Sequence, residues 1–185
     1  MSESGKHCGD IHGDRAMGAY WERQFCILAA NFNKVFTPMQ IGREASAQAY
    51  SQSGGKWSLL TLPDITIWTR PGEHHEIKHK SPTKYGSIGL EVYRFEALKR
   101  FSDLTGQDVF YTIHRHDLAG GRNAKENNIA HWFTASVKDL QRAVTQSRAI
   151  QRTGPTYCNG LKKDVPILYW SVLIWKPLEI HFNSF

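Results

Sequence analysis

Cysteine is scarce in this chain. There are three, Cys8, Cys26 and Cys158, an odd number with no CxxC pair. That pattern argues against a disulfide framework and favours a reducing compartment, with the cytoplasm as the default location. Long apolar runs are also missing. No segment approaches the roughly 18 apolar residues of a membrane helix, and the opening MSESGKHCGD lacks the apolar stretch of a signal peptide. Neither an internal repeat nor a low-complexity tract is apparent, and nothing marks a second domain. Acidic residues are outnumbered, 17 Asp and Glu against 23 Lys and Arg, for a formal charge of +6. A surplus of this sign suits a protein that meets phosphates, although a merely basic soluble protein has it too.

What is present fits one domain. The chain has 185 residues, 41% of them hydrophobic, with nine Phe and six Trp to fill a core. Residues 1–14 are small and polar and read as a flexible tail, leaving 15–185 as a single domain. His7, Cys8 and His12 in that tail match no standard zinc spacing.

Residues 16–31 read as a helix, with Trp21, Phe25, Leu28 and Ala29 at helical spacing. Glu22 falls inside that pattern, where a carboxylate needs a partner or a task. A strand follows within 33–41. The small, polar stretch GREASAQAYSQSGGK reads as a loop close to a ligand. Strands are expected over 62–68 and 74–80, joined by a turn at Pro71-Gly72. A helix is expected over 88–104 with Gly106 as its stop, then a strand over 109–114, together suggesting a βαβ crossover. Beyond lie a polar loop at 119–128, a strand over 129–137, and a helix over 137–150 with Leu140, Val144 and Ile150 inward. Residues 165–175 suit a late strand or hairpin, with Lys162 and Lys163 in a turn.

The chemistry concentrates in the hairpin. Phosphodiester hydrolysis needs a hard divalent cation held by converging oxygens, and a lysine can orient the attacking water or stabilise developing charge. Asp64, Glu76 and Lys78 offer this set. Alternation along a strand turns Glu76 and Lys78 to one face and Ile77 to the other, leaving the Ile77 backbone carbonyl as a further ligand. Each residue also has a plainer reading: Asp64 as a turn cap, and Glu76 with Lys78 as a solvated pair.

With Pro63-Asp64 followed by Glu76-Ile77-Lys78, the chain resembles the PD-(D/E)XK nuclease superfamily, which includes type II restriction enzymes, archaeal Holliday-junction resolvases and phage-type exonucleases. The resemblance covers roughly residues 16–114. It implies an α/β fold with a restriction-endonuclease-like core, a mixed central β-sheet flanked by helices in the order αβββαβ. It implies that Asp64 and Glu76 bind Mg²⁺ or Mn²⁺ and that Lys78 assists the water. Many members add a Glu from the first helix, a place taken here by Glu22; ion pairs with Arg23, Arg43 or Arg94 are its alternatives. Some members carry a further residue on the helix after the Lys strand, and Glu91 falls there, with Tyr93 and Arg94 nearby. The activity implied is DNA cleavage, structure-selective or weakly sequence-specific, and a homodimer is a reasonable arrangement for it. A non-catalytic nucleic-acid-binding module with the same fold is the alternative.

Lys80, Lys84 and Tyr85 follow the motif and read as contacts to nucleic acid, as does Arg115. The histidines His74, His75, His79, His114 and His116 could instead hold zinc, though at no fixed ligand spacing. His114 and His116, ending the later strand, could line the cleft.

Overall fold

A computed structural model describes residues 11–38, 63–68, 72–123, 125–158 and 161–184. Helix α1 spans Ile11–Asn31. Three strands follow: β1 (Phe36–Pro38), β2 (Ile65–Ile67) and β3 (Glu73–Lys80). Next come β4 (Ser87–Glu91), α2 (Val92–Thr105) and β5 (Asp108–Arg115). A 3-10 turn at Ile129–His131 leads into β6 (Trp132–Ser136), α3 (Val137–Thr145), β7 (Ala149–Cys158) and β8 (Leu161–Ser171). The chain closes with β9 (Lys176–Pro177) and α4 (Leu178–Asn183). The expected loop at 42–56, the residues of the 69–71 turn and most of the expected tail lie outside the described residues.

The main sheet has six strands in the order β1-β2-β3-β5-β6-β9. β2 runs antiparallel to β1 and β3, whereas β3 and β5 are parallel, paired from Glu73–Asp108 to Lys80–Arg115. The sheet is therefore mixed, and α2 makes the crossover that parallel pairing requires. Side-chain alternation splits its two faces between two cores. On one face Ile65, Ile67, Ile77 and Trp132 pack with Trp21, Phe25 and Leu28 of α1 and with Leu178 and Phe182 of α4. On the other, Val109, Tyr111 and Ile113 pack with Phe95, Leu98 and Phe101 of α2 and with Val137 and Leu140 of α3.

The helix stops follow from local chemistry. Gly106 adopts φ 68°, and its N–H bonds to the Ser102 carbonyl, so it ends α2 where the sequence suggested. Ser136 caps α3 by accepting the Asp139 N–H at 3.0 Å.

Three expectations need correction. The span 88–104 is not all helix: Ser87–Glu91 is a strand, paired antiparallel to β8. Ile88 and Leu90 are buried at a period of two and meet Leu168 and Trp170 in the core, and this distant pairing overrides the local helical pattern. The helix expected to reach residue 150 ends at Thr145, with Ser147 at φ 55° breaking it. Ile150 then lies exposed on β7 rather than inward. Finally, Lys162 and Lys163, expected in a turn, lie in β8, the second half of a long β7–β8 hairpin that joins β4 in a second, three-stranded sheet, as the late strand or hairpin expected there allows.

Candidate functional site

β2 and β3 pair with Ile65 opposite His75, so Asp64, one step before, comes opposite Glu76. The Ile77 N–H donates to Asp64 Oδ2 at 2.6 Å, which fixes that carboxylate against β3. Glu76 and Lys78 share the strand face that looks toward α2, as alternation requires. Ile77 is buried in the α1 core on the opposite face.

Lys78 Nζ stands where three oxygens converge. It lies 2.5 Å from Glu76 Oε1, 3.5 Å from Asp64 Oδ2 and 2.9 Å from the Ile77 carbonyl. Arg94 reaches in from α2, its Nη1 2.8 Å from the same Glu76 oxygen. Burial alone would raise the Glu76 carboxyl, but Lys78 and Arg94 outweigh it and hold the group below its ordinary value. Asp64 is pushed up to about 6, first by burial and then by the charges of Glu76 and Glu22, with Lys78 and the Ile77 N–H opposing. Burial would lower Lys78, yet Glu76 and Asp64 keep it fully charged, above its usual range.

Of these groups, Lys78, Arg94 and Ile77 line a cleft of about 450 Å³ between α1, the end of β3, α2 and the tip of β7; Asp64 and Glu76 do not line it, and the Glu76 side chain is buried. Glu22 lines the cleft beside Met17 and Gly18, which puts this α1 residue on the same cleft as Lys78. Glu91 lines it too, at the end of β4 rather than on the helix. It accepts from Thr156 Oγ1 at 3.3 Å and lies 3.8 Å from Arg94 Nε. Burial would raise its carboxyl, but Lys80, Arg94 and the Thr156 hydroxyl hold it below the ordinary value. Tyr93 is largely exposed on α2 and does not line this cleft.

The four expected nucleic-acid contacts do not form one patch. Lys80 lines the cleft but turns inward, donating to the Gly89 carbonyl at 2.8 Å. Its ammonium is lowered to about 8, chiefly by burial, with Lys78 and Arg94 adding to it and Glu91 opposing. Lys84 and Tyr85 line a different groove, described below. Arg115 pairs with Asp117 at 2.6 Å and stacks on Phe133 at 5.3 Å.

The histidines are mostly structural. His114 is buried, stacks on Trp21 at 3.7 Å and shares a 3.0 Å contact with His79 through their Nδ1 atoms; it does not line the cleft. His79 bonds the Arg122 carbonyl at 2.9 Å, and His116 bonds Ser81. His74 sits between Thr66 and Gln107. Among the described residues, one group of three metal-capable side chains lies within 4.8 Å: Glu73, His75 and His181. It gathers at the opposite end of β3 from Lys80. Glu73 Oε2 is 2.7 Å from His181 Nε2 and 3.3 Å from His75 Nε2. Burial would raise Glu73, but these two imidazoles hold it down to about 2.

Two participants were not singled out from the sequence as site residues. Arg94 lies three residues after Glu91, close enough for their 3.8 Å contact, and that short spacing is a usable sign in the sequence. Thr156 arrives from β7, and no local pattern announces that meeting.

The donor set suits a hard cation. It is all oxygen, and its centre is already occupied by positive charge, that of Lys78. The same geometry requires Lys78 to give way if an ion is to take the place among those oxygens.

No family description matches the chain, and no curated protein is similar to it in sequence. A solved structure is similar in fold: Hjc, a Holliday junction resolvase from the archaeal hyperthermophile Archaeoglobus fulgidus, with a TM-score of 0.51 and 11% identity, covering 91% of this chain and 97% of that one. The chain therefore has a nuclease-like fold, a central mixed sheet flanked by helices. Among the described residues, no helix is long and apolar enough to cross a membrane.

Proposed function

We propose that this chain is a metal-dependent deoxyribonuclease that hydrolyses phosphodiester bonds at the cleft lined by Lys78, with Asp64 and Glu76 held against that lysine. The observation that carries the reading is the convergence of Asp64 Oδ2, Glu76 Oε1 and the Ile77 carbonyl on the single cationic centre of Lys78. Mg²⁺ or Mn²⁺ would be held by these oxygens, with Glu22 as a further ligand, and would supply charge neutralisation at the phosphate and a more acidic water.

The remaining chemistry falls to the chain itself. Lys78, moved off the oxygens, faces the cleft and can orient the water or stabilise charge developing on the phosphate. Arg94 balances Glu76 from the α2 side. Glu91 and Lys80 line the cleft behind them, and the excess of cationic residues over the whole chain suits a polyanionic substrate. With residues 15–185 acting as one unit, structure-selective or weakly specific cleavage fits better than base readout. A homodimer would place two such clefts on two strands.

One observation favours the alternative of a binding module without catalysis: Glu76 is held by both Lys78 and Arg94, so an ion must compete with two cations for it. The deciding experiment incubates purified protein with supercoiled, linear, branched and single-stranded DNA and Mg²⁺ or Mn²⁺. We expect cleavage that EDTA abolishes. Asp64→Ala, Glu76→Ala and Lys78→Ala should each reduce it by several orders of magnitude, and Glu22→Ala by less. Undiminished cleavage by a folded Lys78→Ala variant sinks the assignment.

A further inference from the structure

A second concavity of about 500 Å³ lies on the outer face of the three-stranded sheet. Its principal side chains are Lys84, Tyr85, Arg148, Ile150, Arg152 and Tyr169. Three are cationic, and no Asp or Glu lines the groove among the described residues. Tyr85 is 72% exposed, with Lys84 Nζ 5.0 Å and the Arg152 guanidinium 6.0 Å from its ring centre.

The floor of this groove is built around an aromatic ring. Tyr169 on β8 pairs with Gly89 on β4. A Cβ at Gly89 would come 2.7 Å from Tyr169 Cε1, and one at Gly154 on β7 would come 3.5 Å from Tyr169 Oη. The Tyr169 ring therefore spreads across both neighbouring strands, over two positions where any larger side chain would displace it or its neighbour Ile167.

The groove leads into the catalytic cleft. β4 runs from Ser87 in the groove to Glu91 in the cleft, and β7 runs from Arg152 in the groove to Thr156 in the cleft. Pro155 lines both. At roughly 3.3 Å per residue, Ser87 and Glu91 are about 13 Å apart, the span of a few nucleotides.

We infer that this groove holds a single strand of DNA flanking the scissile phosphate, so that the substrate carries an unpaired segment beside the cut. The inference rests on the nuclease reading for the position of the cut, whereas the groove's affinity is measurable without cleavage. The cationic rim recognises phosphates. An exposed Tyr85 and a flat Tyr169 offer stacking faces, which only unpaired bases can use, because duplex bases are already stacked on each other. A cavity of this size accommodates a base and its sugar rather than a duplex.

The test is fluorescence anisotropy in EDTA with three labelled DNAs of one sequence: a short single strand, its blunt duplex, and a duplex with a single-stranded overhang. Wild type should bind the single strand and the overhang more tightly than the blunt duplex. Tyr85→Ala should weaken the first two by about tenfold to a hundredfold, as loss of one stacked base does, and leave the blunt duplex within about twofold. Tyr85→Phe should retain the wild-type values, since the ring and not the hydroxyl does the stacking. Arg152→Ala should weaken single-strand binding and flatten its salt dependence. Equal losses on all three DNAs for Tyr85→Ala, or a wild type that prefers the blunt duplex, overturn the inference. Tight single-strand binding by a protein that cuts nothing with Mg²⁺ or Mn²⁺ would leave the groove standing and remove the nuclease reading instead.

Discussion

Arg94 crosses from α2 to place its Nη1 2.8 Å from Glu76 Oε1, the same oxygen that Lys78 contacts at 2.5 Å. One carboxylate oxygen thus serves two cations, and a metal ion would be a third claimant. Arg94→Ala should tighten Mn²⁺ binding by about tenfold, because one competitor leaves. In EDTA the same variant should be less stable by about 2–4 kcal/mol, since a buried carboxylate loses half of its partners. Mn²⁺ calorimetry and urea unfolding measure the two effects, and looser Mn²⁺ binding would show that Arg94 supports the ion rather than competing with it.

Asp64 works against stability in the metal-free protein. Its folded-state value of about 6 lies above the ordinary 3.8, so its contribution is intact below pH 3.8 and is lost as pH rises through 6. At pH 7.5 in EDTA, Asp64→Asn should raise Tm by about 2–6 °C, the amide oxygen still accepting the Ile77 N–H, while cleavage disappears. The same proton predicts that Mg²⁺ affinity weakens as pH falls below about 6. A variant with an unchanged or lower Tm would show that the carboxylate is better satisfied than its neighbours suggest.

Acid should unfold the protein early. Burial holds His75 below its ordinary 6.5 and takes His79 to about 4 and His114 to about 3. Each binds its proton in the unfolded chain first, so stability is whole above pH 6.5 and is drawn down as pH falls toward 3. Glu73 adds to this below 4.5, because its folded value is about 2, a contribution on the order of 3 kcal/mol. Tm measured from pH 7.5 to 4 should hold level down to about pH 6.5 and fall below it, and Glu73→Gln should remove only the part below pH 5. A flat profile between pH 7 and 5 contradicts the neutral-histidine account.

Trp21 ties the first helix to the sheet. It is 1% exposed and stacks on His114 at 3.7 Å and on His79 at 4.6 Å. Trp21→Ala should cost about 3–5 kcal/mol in urea unfolding. Because Glu22 is its neighbour on α1, cleavage should fall further than in Glu22→Ala, even at temperatures where the variant is folded. Cleavage equal to that of Glu22→Ala would mean that α1 keeps its position without the indole.

The parts legible in the sequence were those with local causes. Trp21, Phe25, Leu28 and Ala29 marked the buried face of α1, Gly106 marked the end of α2, and alternation placed Glu76 and Lys78 together on β3. What stayed hidden depends on partners far along the chain. Ser87–Glu91 looks helical until Leu168 and Trp170 arrive to bury Ile88 and Leu90. The hydrogen bond from Thr156 to Glu91 and the contact between His181 and Glu73 join residues that no periodicity relates.

The insertion of β4 between the Lys78 strand and α2 bears on how the protein can change over generations. The β7–β8 hairpin has the outline of a detachable ornament, yet its removal would strip β4 of its hydrogen-bonding neighbour and take Trp170 out of the α2 core. Ile88 and Leu90 would then face water on the very segment that connects the hairpin chemistry to Arg94. A lineage could reshape the outer face of that sheet residue by residue. It could not discard the hairpin without unseating the arginine that balances Glu76.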